Sequence, residues 1–269
     1  MLFFIYLFLA VWSFIVIVPL YWMTISSFKV KGDIFNLKFS FFPQQFTVTG
    51  FSELLNNTLF LRWSFNTILV GIGTAVIGVI ICSLAGFTFA KYEFKGKNFL
   101  FFLVLSSVMI PLVVNIIPIY VFMNKLKLLN TYLALILPLC PNAFVVFFIR
   151  SYITSIPSSL LDAARVDGCS EFKIFLKIIV PLAKPAISAG FIFLFMDQWI
   201  QYFWPLIMTN TSKMAPLTIG LASIYADVFN IKYDVLMAGA TLSVVPMIAA
   251  FVLAQKQFIT GLTGGAIKG

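Results

Sequence analysis

The chain has 269 residues, 61% of them hydrophobic and 10% charged, with a mean hydropathy of +1.05. A soluble domain carries roughly a quarter of its residues as charges, so most of this chain is built for lipid. It contains no histidine, which excludes Ser-His-Asp and Cys-His catalysis and His-ligated zinc. Cys82, Cys140 and Cys169 form no CxxC pair; they read as small packing residues, not as a disulfide framework or zinc ribbon. The formal net charge of +9 is accounted for by lysines and arginines flanking membrane spans, without nucleic acid.

Uncharged runs mark the predicted elements. Residues 1–28, 63–90, 98–124, 128–149 and 235–255 carry no charge, and residues 185–212 carry only Asp197. About 20 apolar residues cross the hydrocarbon, so each run is long enough to span. None shows the alternation of a barrel strand. The expected fold is all-α, one polytopic membrane domain over residues 1–269, with spans at about 2–25, 64–89, 99–123, 129–149, 186–208 and 235–255. The first run has no basic n-region and no Ala-x-Ala site, so it reads as a true span with a short or truncated start.

Six spans place both termini on one side. With the termini inside, the inner side holds Lys91, Lys95, Lys97, Arg150, Arg165, Lys173, Lys177, Lys184, Lys256 and Lys268. The outer side holds Lys29, Lys31, Lys38, Arg62, Lys125, Lys127, Lys213 and Lys232. That excess inside favours cytoplasmic termini. Residues 29–62 and 209–234 are then outer loops, and residues 150–184 form the longest inner loop. No internal repeat or low-complexity tract is present.

The inner loop has a helical pattern of its own. Pro157 stands at a helix start, and Ser159 with Asp162 fits a loose capping box. Leu160, Leu161, Ala164 and Val166 supply an apolar side. Gly168 ends this helix in the left-handed conformation. Ser170 caps a second helix, Glu171 suits its first turn, and Pro181 stops it. Two short helices are therefore expected to meet at a glycine corner. Two readings are open at this point. Lys173 and Lys177, one turn apart, fit an amphipathic loop lying on lipid. The small residues Ala163, Ala164 and Gly168 leave a shallow face that another protein can approach closely.

Polar residues inside spans mark a pathway or glue between helices. Asp197, Gln198 and Gln201 are expected on one side of the fifth span, with Trp199, Tyr202 and Trp204 nearby. Amides and aromatic rings suit a neutral sugar, and Asn115, between Pro111 and Pro118, is a further candidate, as is Asn142. The substrate pathway is therefore assigned to Asn115, Gln198, Gln201 and Trp204, with helix–helix pairing as the alternative, preferred for Asp197. No Walker sequence is present, since Gly96-Lys97-Asn98 lacks the upstream glycine and the Ser/Thr.

The run AARVDG, followed by an apolar helix and PLAKPAI, resembles the EAA loop of bacterial ABC-importer permeases. Asp162, Ala163, Ala164, Asp167 and Gly168 occupy the motif, with Asp162 in place of the usual Glu and Cys169 in place of the usual Ala. PLYWMTISSFK, NTILVGIGTAV, FAKYEFKGKN, NKLKLLNTYLALILP and QFITGLTGGAIKG extend the resemblance to the carbohydrate-uptake permeases, specifically to maltose-transporter G-like subunits. The family usually has Trp-Asn-Asp where this chain has Trp199-Ile200-Gln201, which weakens transfer of a sugar site.

The resemblance implies a non-catalytic permease with six spans and cytoplasmic termini in a bacterial inner membrane. It also implies a second, F-like permease, two ATPase subunits and an extracytoplasmic sugar-binding protein. ATP and Mg belong to the ATPases, and no cofactor to this chain. Residues 158–167 would be the coupling helix, with Asp162 and Asp167 pairing to donors on an ATPase. Residues 209–234 would reach the binding protein. The tail GLTGGAIKG either reaches the ATPases or frays. An ABC permease for a non-sugar solute is the alternative; a secondary transporter and a membrane-embedded enzyme fit less well.

Overall fold

The computed structural model describes residues 2–34, 40–225 and 231–266, with side chains at 253, 254 and 256–266 excepted. Lys38, Lys256 and Lys268 from the charge comparison, and the side chains of the C-terminal tail, lie outside what is described. Every regular element among the described residues is helical. The helices are α1 (Leu2–Ser26), α2 (Thr49–Asn57), α3 (Phe60–Lys91), α4 (Lys97–Ser106), α5 (Leu112–Lys125), α6 (Tyr132–Ile136) and α7 (Ala143–Thr154). They continue as α8 (Ser158–Val166), α9 (Glu171–Ile174), α10 (Val180–Leu182), α11 (Lys184–Trp199), α12 (Phe203–Met208), α13 (Leu217–Tyr225) and α14 (Tyr233–Ala266).

Three helices are long and apolar enough to cross a membrane unbroken: α1, α3, and α14 over Tyr233–Val252. Three bent pairs pass the same test, giving up to six spans if each pair is one span. The expected third and fourth spans are therefore not straight, and the last bent pair, Glu171–Leu182 with Lys184–Trp199, turns before the expected fifth span begins. The third bends by 101° between α4 and α5, where Pro111 is the N-cap of α5 and disfavours helical backbone at Ile110. The fourth bends by 48° between α6 and α7. There the side chain of Asn142 caps α7 by accepting from the Val145 N–H. α11 ends at Trp199, short of the expected 208, and α12 begins anew at Phe203.

Pro181 does not stop the second loop helix. That helix passes through five π-helical residues, Phe175–Ile179, into α10. The chain then turns by 82° into α11, whose first turn holds Pro185, a residue whose missing N–H costs nothing there.

The chain divides into two compact units, residues 1–66 with 215–248, and residues 67–214 with 249–269. In the first unit α1 buries only Ser26. The segment after α1 is an ordered strap where described. Phe28 stacks on Phe46 and tilts against Phe51, at centroid distances of 4.8 and 5.1 Å. Lys29 is fully buried, donates from Nζ to the Ser40 carbonyl at 2.8 Å, and lies 4.1 Å above the Trp22 ring. Burial pushes its ammonium below the usual lysine range, with Asp33 opposing. The expected outer loop 209–234 contains the helix α13, formed by the apolar run LTIGLASIY, and residues 226–230 lie outside the described part.

The second unit holds the main core. Ile149 and Ile153 of α7, Leu161 of α8, and Ile174 and Ile179 pack with Val79, Cys82 and Phe87 of α3, all buried. Close approach to α3 is required at Gly78, where a Cβ would lie 2.8 Å from the Cys140 carbonyl oxygen. In lipid such packing and internal hydrogen bonds, not the exclusion of water, hold helices together.

Candidate functional site: the α8–α9 corner

α8 starts at Ser158, and Pro157 is its N-cap, with φ −59° and ψ 132° and no side-chain cap. The expected Ser159–Asp162 capping box is absent, because Ser159 lies inside the first turn and Asp162 pairs elsewhere. Of the expected apolar side, Leu161 and Ala164 are buried, whereas Leu160 is 46% and Val166 88% exposed. The helix thus splits its apolar residues between the core and an outer face.

α8 ends in a Schellman motif. The Gly168 N–H donates to the Arg165 carbonyl at 3.0 Å and the Cys169 N–H to the Ala164 carbonyl at 2.9 Å. Gly168 has φ +76° and nothing within 4 Å of a built Cβ. Glycine is needed there for backbone conformation alone. Ser170 then caps α9 by accepting from the Lys173 N–H.

Arg165 spans this corner. Its Nη1 donates to Asp162 Oδ1 at 2.8 Å. Its Nε donates to Glu171 Oε1 at 2.8 Å, and Nη2 to Glu171 Oε2 at 3.3 Å. Tyr92, just beyond α3, donates its hydroxyl to the same Glu171 Oε2. Hydrogen bonds from Arg165, then Tyr92, hold the Glu171 carboxyl below the usual range. Burial first, then the bond to Glu171, pushes the Tyr92 phenol up to about 12. The bond to Glu171 likewise raises Arg165. Lys91 Nζ donates to the Ile156 carbonyl at the turn entering α8.

The five residues of the motif are thereby separated. Ala164 is buried; Asp162, Ala163, Asp167 and Gly168 are exposed. Asp162 pairs with Arg165 within the chain while its side chain stays 65% exposed. Asp167, the C-cap of α8, has an unshielded carboxylate at the unfavourable end of the helix dipole. Sequence reasoning noted Arg165 and Glu171 only as charges and missed Tyr92. Their spacing carries no local signal for a contact through the fold.

The pathway candidates differ in burial and in partners. Gln198 is buried and donates from Nε2 to Thr74 Oγ1 at 3.3 Å and to the Leu135 carbonyl at 3.1 Å. Trp204 is fully buried, and its indole N–H donates to the Ala134 carbonyl at 3.2 Å. Both make helix-to-helix hydrogen bonds within this chain, and Gln198 keeps a buried Oε1 with no hydrogen-bond partner. Gln201 lies in the break after α11, half-buried, with Nε2 3.5 Å from Asp197 Oδ2. Asn115 is half-buried on α5. Among the described residues no group of three or more His, Cys, Asp or Glu could hold a metal.

Residues 78–263 match the family described as binding-protein-dependent transport system inner membrane component. The chain belongs to this family. It is 36% identical to the arabinooligosaccharides transport system permease protein AraQ of Halalkalibacterium halodurans, over 96% of this chain and 93% of that protein. It is 30% identical to the lactose transport system permease protein LacG of Rhizobium radiobacter, over 94% and 91%. It is 32% identical to the sn-glycerol-3-phosphate transport system permease protein UgpE of Rhizobium meliloti, over 96% and 94%. The fold matches the crystal structure of a bacterial ABC transporter involved in the import of the acidic polysaccharide alginate. That match has a TM-score of 0.85, at 22% identity, over 94% of each chain. As a member of the family the chain is a non-catalytic inner-membrane permease component of an ABC importer. Such a component works with a partner permease, an ATPase and a substrate-binding protein.

Proposed function

We propose that the chain, acting as one permease domain, forms half of the translocation pathway of an ATP-driven oligosaccharide importer. The observation that carries this reading is likeness along nearly the whole chain to permeases named for arabinooligosaccharides and lactose. The other half of the pathway belongs to an F-like permease, and ATP and Mg to two ATPase subunits. An extracytoplasmic sugar-binding protein delivers the substrate and meets the segment 209–234. The termini and the α8–α9 corner face the cytoplasm, in keeping with the charge distribution. There α8 docks onto an ATPase through Ala163, Val166, Asp167 and the Gly168 corner, and ATP-driven closure moves it. Asn115 and Gln201 line the pathway, where an amide offers donor and acceptor without the cost of a charge.

A second reading, a polyol phosphate or other non-sugar solute, is favoured by the likeness to a glycerol-phosphate permease. Deletion of the gene, with uptake of labelled neutral oligosaccharides and of sn-glycerol 3-phosphate compared, separates the two. Loss of oligosaccharide uptake alone supports the first reading. Loss of glycerol-phosphate uptake alone supports the second.

A further inference from the structure

We propose that Arg165, Glu171 and Tyr92 form a brace that locks the α8–α9 corner to the end of α3, so that α8 and α3 move as one body. The proposal rests on the reading that α8 docks an ATPase, and adds how a push on α8 enters the membrane helices. The three are positioning residues.

The need for a brace follows from the corner itself. α8 has nine residues, too few to hold a helix by its own hydrogen bonds. Its inner face is anchored by Leu161 and Ala164, but Gly168 is open on every side within 4 Å of a built Cβ. Leu161 and Ala164 on one side and Ile174 on the other pack in the same core, but nothing at the glycine itself stops the corner from hinging. The Arg165 fork does, because one guanidinium holds Asp162 on its own helix and both oxygens of Glu171 across the glycine. Planar two-point pairing fixes direction as well as distance, which a lysine ammonium cannot do.

Tyr92 extends the brace to α3. Its hydroxyl holds Glu171 Oε2, and its ring meets Phe87 of α3 edge-on, at a centroid distance of 5.3 Å. Phe87 in turn lies 5.6 Å from the ring of Phe175, in the π-helical segment that follows α9. The end of α3 is thus tied to the far side of the corner twice, by a polar and by an aromatic contact. Exposed ion pairs contribute little to folding. This network matters for geometry.

The test uses the assembled complex in nanodiscs, with spin labels at Ala163→Cys on α8 and Lys95→Cys in the turn after α3, in a Cys169→Ser background. The expected wild-type distance is narrow and unchanged by Mg with a non-hydrolysable ATP analogue. In Arg165→Lys, Glu171→Gln and Tyr92→Phe it should broaden and shift when the nucleotide is added. The exchange Arg165→Glu with Glu171→Arg, made together with Asp162→Asn so that the new carboxylate has no like charge beside it, should restore a narrow, nucleotide-insensitive distance. A distance in Arg165→Lys and Glu171→Gln that stays narrow and insensitive overturns the brace. Loss of ATPase copurification in Arg165→Gln that the exchange does not restore also overturns it, by placing Arg165 in the docking face. The docking reading has its own control: Val166→Arg should abolish ATPase copurification, and retention of the ATPases would remove that reading while leaving the distances to judge the brace.

Discussion

The indole N–H of Trp204 donates to the backbone carbonyl of Ala134 at 3.2 Å, in a fully buried contact between α12 and α6. α6 gives way to a 3₁₀ turn, Leu137–Leu139, containing Pro138, so its carbonyls depend on partners outside the helix. A residue that reads from the sequence as an aromatic platform for sugar is therefore a clamp on a broken span.

Trp204→Phe keeps most of the ring and removes the donor. An orphaned buried carbonyl costs about 1–3 kcal/mol. The variant should lower the thermal stability of the purified complex and leave its substrate range unchanged. A changed range at unchanged stability would return Trp204 to the pathway.

Gln198 and Gln201 should respond differently to leucine. Gln198→Leu deletes two contacts between helices, each worth about 0.6 kcal/mol on average in a membrane protein, and should reduce assembly. Gln201→Leu lies in the break after α11 and should lower uptake or alter the sugar range with assembly and basal ATP hydrolysis near normal. Copurification and transport measured on both variants check this. Failure of the Gln201 variant to assemble would make that residue a structural pair with Asp197.

Gly168→Val forces a β-branched residue to a φ of +76°. The conformational cost is about 1–2 kcal/mol, with no clash added because the site is open. Membrane insertion should survive, while substrate-stimulated ATP hydrolysis and uptake fall. Intact stimulation in this variant would refute a docking role for the corner.

The pH response of the corner follows from two opposite displacements. Glu171 has its pKa lowered from 4.5, so its contribution is present above 4.5 and is lost as pH falls through the depressed folded value. Tyr92 is raised from 10 to about 12, so its contribution is complete below 10 and is lost as pH rises through about 12. The spin-label distance between positions 163 and 95 should therefore stay constant between these limits. A shift near neutral pH would show that some other group controls the corner.

The features legible in the sequence are those set by neighbours within a few residues. Uncharged length marks the membrane-crossing segments. Gly168 marks the left-handed residue and Ser170 the cap of α9, because φ preference and side-chain capping act locally. The breaks near Pro111, Asn142 and Ala183 were present as letters but not as angles. A proline or a cap says that backbone bonds are freed, and the packing around them sets the turns of 101°, 48° and 82°. The roles of the polar residues were beyond local reading altogether. Gln198 meets Thr74 across 124 residues of chain, and Tyr92 meets Glu171 across 79. An amide or carboxylate in an apolar span must find a partner, but only the helix that lies opposite decides whether that partner is another residue of this chain or a passing solute.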